Sequence, residues 1–88
     1  MKQIINGKLY STDSAQAVGY WDNGQEDDEF MAESVYRANS GDYFLWTTDN
    51  PAGEDELRLL NQDAAMDWLW RRDWKDADIA KALAIELA

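Results

Sequence analysis

The chain has 88 residues, the length of one domain, and contains no cysteine and no histidine. Disulfide staples, a histidine base or switch, and the usual zinc ligand sets are therefore excluded. Eight basic residues against 18 acidic ones give a net charge of −10, which disfavours direct binding to DNA, RNA or an anionic membrane.

In chain order, QIINGKLY at residues 3–10 reads as a tight hairpin or an interrupted strand, because Asn6-Gly7 suits a turn with both central residues at positive φ. STDSAQ at 11–16 reads as a turn or one helical turn. Ala17 to Trp21 form the next strand, closed by the turn signal Asp22-Asn23-Gly24. After the polar stretch Gln25 to Glu29, residues 30–37 alternate as a strand. Ala32, Ser34 and Tyr36 fall on one face, and Met31, Glu33, Val35 and Arg37 on the other. Ala38 to Asp42 form a loop, and DYFLWTT at 42–48 is the aromatic strand that pairs with residues 30–37. Asp49 to Gly53 break the chain, and Leu57 to Leu60 form a short further strand.

Asn61 is the expected N-cap of a helix from Gln62 to about Arg72, with Ala65, Trp68 and Leu69 inward. Asp76 is the expected cap of a second helix to about Leu87, along the apolar stripe Ile79, Leu83, Leu87. The fold class expected is α+β: a small twisted antiparallel sheet of four to five strands over residues 3–60, with one or two C-terminal helices on one face. All 88 residues form a single domain. Trp68, Leu69, Ile79 and Leu83 would meet a core containing Val35, Tyr36, Phe44 and Leu45. Strand neighbours point oppositely, so only one of each pair can face the helices.

Charge is unevenly placed. Residues 1–20 hold two bases and one acid, residues 21–57 hold eleven acids and only Arg37, and residues 58–88 hold five bases and six acids. The excess sits mid-chain, most densely in Glu26-Asp27-Asp28-Glu29. Alternate carboxylates on a strand lie roughly 7 Å apart, and each strand of duplex DNA advances about 3.4 Å per phosphate. An array on that scale can occupy a basic channel built for nucleic acid; the plainer reading is a solvated loop. Asp22, Glu33, Asp42, Asp49, Glu54, Asp55 and Glu56 extend the array along one edge of the sheet. The candidate partner-binding residues are Asp22, Glu26, Asp27, Asp28, Glu29, Glu33, Asp49, Glu54, Asp55 and Glu56.

Other chemistries fit less well. Residues 22–33 lack the residue order of a calcium-binding EF-hand loop, so no metal or other cofactor is expected. Paired carboxylates could serve acid–base catalysis, but 88 residues leave little room for a substrate cleft. The serines and threonines have no nucleophile context, and no enzymatic activity is expected. Trp68 and Trp70 cannot share a helix face, so one of them should lie at a rim, either as a contact anchor or as the edge of a small core. The tail DADIAKALAIELA resembles the first helix of a helix-turn-helix, but with no recognition helix after it the tail is a packing helix or half of a dimer contact. MKQIINGKLYST has neither the apolar region nor the cleavage site of a signal peptide.

INGKLYST at 5–12, VGYWDNG at 18–24, ESVYR at 33–37 and GDYFL at 41–45 resemble a family of short acidic proteins of phages and bacterial mobile elements, some of which are anti-CRISPR proteins. The resemblance covers roughly residues 3–70. Where that family carries a glycine-rich loop after the aromatic strand, this chain has Trp46 to Gly53. The resemblance implies an inhibitor that binds a CRISPR effector complex in the bacterial cytoplasm and competes there with nucleic acid. The alternative is a small acidic adaptor or regulatory protein that binds an unrelated basic protein.

Overall fold

The computed structural model describes residues 2–24, 30–49 and 54–85, with the side chains of Asp49 and Glu54 left out. The acidic run Glu26 to Glu29, the loop 50–53 and Leu87 lie outside the described residues. Six strands precede two helices: β1 (Lys2–Ile5), β2 (Lys8–Ser11), β3 (Gln16–Asp22), β4 (Met31–Arg37), β5 (Tyr43–Asp49), β6 (Glu54–Leu60), α1 (Gln62–Arg71) and α2 (Asp76–Leu83).

The strands form two sheets rather than one. β3, β4, β5 and β6 make a four-stranded antiparallel meander in sequence order, and β1 and β2 pair only with each other. Asn6 at φ 53° and Gly7 at φ 78° supply the turn of that hairpin. The hairpin lies across the sheet face opposite the helices and inserts Tyr10 edge-on against Phe44, with ring centroids 5.8 Å apart. Three layers result: helices, sheet, hairpin.

This arrangement decides the strand pairs that alternation left open. Val35 and Leu45 face the helices and join Tyr43, Ala65, Trp68, Leu69, Ile79 and Leu83 in the main core. Tyr36 and Phe44 face the hairpin, stacked on each other at 5.3 Å. The buried Tyr43 hydroxyl donates to the Leu83 carbonyl at 3.2 Å, tying β5 to the end of α2.

β3 reaches the helices by a close approach. Its register shifts between Ala17 and Gly19, which turns Val18 and Gly19 toward α1. A β-carbon on Gly19 would stand 2.8 Å from Leu69 Cδ2 and 3.1 Å from the Trp68 ring, so only glycine fits there without displacement.

α1 begins as expected: the Asn61 side chain accepts from the Ala64 amide at 2.7 Å. α2 departs from expectation at both ends. Its N-cap is Lys75, with no side-chain cap bond, and Asp76 is the first helical residue, where its charge still favours the dipole. The helix ends at Leu83 because Ala84 turns left-handed at φ 55°. The Ile85 amide then bonds back to the Ala80 carbonyl at 2.9 Å, and the Ile85 side chain packs on the core. Asp73, at φ 62°, ends α1 in the same way, and Trp74 packs inward. No described helix is long and apolar enough to cross a membrane.

Candidate functional site: the acidic end of the sheet

The β-ladder collects the acids of different strands at one end of the sheet. The last rung pairs Met31 with Asp49 and Asp49 with Glu54. The next runs Asp22, Ala32, Thr48, Asp55 across all four strands. The third runs Trp21, Glu33, Thr47, Glu56. Both connections at this end are acidic or lead into acids, and residues 25–29 are joined to it through Gly24 and Phe30. Strands about 4.8 Å apart place Asp22 and Asp55 roughly 14 Å apart across the sheet.

Local bonds hold the end in shape. The Asp22 carboxylate accepts from the Gly24 amide at 2.9 Å. The Asn23 side chain accepts from the Met31 amide at 3.2 Å, and the Asn23 amide donates to the Met31 carbonyl at 3.0 Å. The Tyr20 hydroxyl hydrogen-bonds Asp22, and with partial desolvation and the Asp22 charge this raises the phenol above its ordinary pKa.

The candidate residues divide three ways. Asp55 and Glu56 are exposed on the edge strand β6, and Asp22 is half-buried at the end of β3. Asp49 and Glu54 occupy the final rung by backbone register. Glu33 is turned toward the helices. Its Oε1 takes an ion pair from Arg72 at 2.5 Å and a bond from the Trp68 indole at 3.3 Å, with 15% of the side chain exposed. The Arg72 guanidinium carbon lies 4.0 Å from the Trp21 ring centroid and 5.4 Å from that of Trp68. Glu33 thus anchors α1 to β4. The alternation that put Glu33 beside Val35 was readable in the sequence; its pairing with Arg72, 39 residues on, was not.

Asp42 lies at the opposite end of the sheet. Its Oδ2 accepts from Tyr10 at 2.9 Å, Ser40 at 3.0 Å and Lys8 at 3.3 Å. These bonds, Tyr10's first, hold its carboxyl below the usual aspartate value. They fasten the hairpin to the β4–β5 turn.

Among the described residues no group of three or more acidic, histidine or cysteine side chains is placed to hold a metal ion. The grooves around the described residues are open; one of about 530 Å³ lies along Asp73, Trp74, Lys75, Asp78, Lys81 and Ala82, away from the acidic end. Trp68 is buried and Trp70 is 66% exposed, so the rim tryptophan is Trp70.

The fold and site define a small α+β domain with a charged sheet end and no described catalytic constellation. No protein-family model, curated protein or solved structure matches the chain.

Proposed function

We propose that this domain works by binding rather than by turnover: its acidic sheet end meets a basic protein surface and competes there with nucleic acid. The observation that supports this reading is the register, which gathers acids from β3, β5 and β6 into adjoining rungs; in the sequence the Glu26 to Glu29 run lies between β3 and β4. Asp22 and Asp55 have no ion-pair partner among the described residues, so their charge is available to a basic surface. Glu33 supports the platform from beneath. The resemblance of the strand and turn motifs makes a CRISPR effector complex, in the bacterial cytoplasm, the partner of first choice. No cofactor enters this mode of action.

The test measures association with a purified effector complex, with its nucleic-acid channel empty and filled, across a salt series. Steering by charge predicts that binding falls as salt rises, because screening shortens electrostatic reach to about 8 Å at physiological ionic strength. Replacing Glu26, Asp27, Asp28 and Glu29 by Gln or Asn should slow association and leave thermal stability equal or higher. A filled channel should block binding. Binding that ignores both the filled channel and the neutralised run would refute the competition. The adaptor reading would be favoured if the protein instead captures a basic partner that binds no nucleic acid.

A further inference from the structure

We propose that two copies of this chain pair through β6, edge to edge and antiparallel, about a two-fold axis at Leu57. Among the described residues the sheet has two free edges, and they differ. β3 carries a register shift, a device that spoils edge pairing. β6 is regular over all seven residues, contains no proline, and makes no backbone hydrogen bond beyond those to β5 among the described residues. A long, regular open edge is a template for another strand.

The side chains select both the partner and the register. Glu56 and Arg58 point to the helix side of the sheet, are exposed, and have no ion-pair partner among the described residues. A two-fold axis perpendicular to the sheet keeps each face continuous, so facing residues share parity and the axis must fall on a residue. An axis at Glu56 faces Glu54 with Arg58 twice but sets Glu56 against itself at the centre, and one at Arg58 sets the base against itself. An axis at Leu59 leaves both charges without an opposite. The axis at Leu57 alone sets Glu56 of one copy opposite Arg58 of the other, twice, and faces Asp55 with Leu59 and Glu54 with Leu60. Cross-strand pairs of opposite charge stabilise a ladder and like pairs destabilise it. Antiparallel pairing also sends the two acidic sheet ends to opposite ends of an eight-stranded sheet, which limits repulsion between chains of net charge −10. The contact is isologous, the commonest form of self-association.

Sedimentation equilibrium of the purified chain, from micromolar to millimolar concentration, tests the pairing without any other partner present. The wild type should dimerise. Glu56→Arg and Arg58→Glu should each weaken dimerisation by roughly tenfold or more, since each turns two attractive pairs into two repulsive ones. The double exchange Glu56→Arg/Arg58→Glu should restore it. Net charge alone predicts otherwise, because Glu56→Arg makes the chain less negative and should then tighten association. Melting curves check the fold of each variant, and Glu56→Gln and Arg58→Gln, with a smaller weakening expected, replace any that does not fold. A wild type that stays monomeric into the millimolar range overturns the proposal, and so does a dimer indifferent to both reversals.

Discussion

Gly19→Ala tests how closely β3 is packed against α1. The added β-carbon would lie 2.8 Å from Leu69 Cδ2, 3.1 Å from the Trp68 ring and 3.4 Å from the Trp74 ring. Carbon atoms sit comfortably at about 3.5–4.0 Å, so the first two contacts must open by several tenths of an ångström. Leu69 is fully buried and Trp68 is 8% exposed, so neither can swing into solvent. Overpacking of this kind costs about 1–3 kcal/mol. Alanine recovers ~0.4–1 kcal/mol by restricting the unfolded chain, which leaves a net loss of about 1–2 kcal/mol. At ~4–8 °C per kcal/mol for a domain of this size, melting followed by far-ultraviolet circular dichroism should fall by roughly 5–15 °C. Leu69→Ala removes the nearest obstructing atom at its own cost of about 2–5 kcal/mol. In that background the added methyl should cost less or stabilise, giving a coupling that a double-mutant cycle reads directly. A Gly19→Ala protein that melts at or above the wild-type temperature would refute the close approach of β3 to α1.

Trp68→Ala removes the centre of the helix–sheet core together with the indole bond to Glu33, and should cost roughly 3–5 kcal/mol by denaturant titration; a loss below about 1 kcal/mol would place the wrong face of α1 inward. Ala84→Gly relieves a left-handed residue at the end of α2 and should stabilise by about 0.5–1 kcal/mol, read as a raised melting temperature, whereas Ala84→Val should lower it. Asp42 titrates below its ordinary value of about 3.9 in the folded chain, so its contribution is present above that pH and is lost as pH falls through the lower folded value. Asp42→Asn should flatten that part of the acid limb of the stability curve, and an unchanged acid limb would show that the Tyr10, Ser40 and Lys8 bonds carry no stability.

The local signals in the sequence were sufficient for the elements. Asn6-Gly7, the Asn61 cap and the alternation of residues 31–37 each act within a few residues, and each stands where it was read. What was not legible depended on the layer stacking. No local rule says that β1 and β2 leave the main sheet to cover its far face, since an alternating strand pairs equally well in either place. α2 ends at Leu83 because Ile85 reaches the core once Ala84 turns, and that gain exists only with the sheet beneath it. Among the candidate site residues, Asp22, Asp55 and Glu56 could be placed together only through the ladder register. Glu33 looked the same as they do in sequence and differs because Arg72 lies over it.

The pattern of charge compensation gives the acidic sheet end its meaning. Elsewhere three cations stand beside acids: Lys8 beside Asp42, Arg71 beside Asp67 at 2.7 Å, Arg72 beside Glu33. The exposed pairs contribute little each. The partly buried Glu33–Arg72 pair differs, since removing either member would leave the other's charge poorly solvated. Asp22, Asp55 and Glu56 receive no cation among the described residues; their ladder partners are Ala32, Thr48 and Thr47, so no like charge faces them directly, and what acts on them is the general self-repulsion of a chain of net charge −10. Uncompensated repulsion confined to one end gives the free domain no stability. It is relieved when a basic surface covers that end, so charge that is a cost in isolation becomes part of the binding free energy. Neutralising Asp55 to Asn should therefore leave the melting temperature of the free protein equal or higher while weakening its hold on a basic partner. An Asp55→Asn variant that melts lower than wild type would show that this carboxylate makes a stabilising contact of its own, and would remove the electrostatic ground for placing the binding surface there.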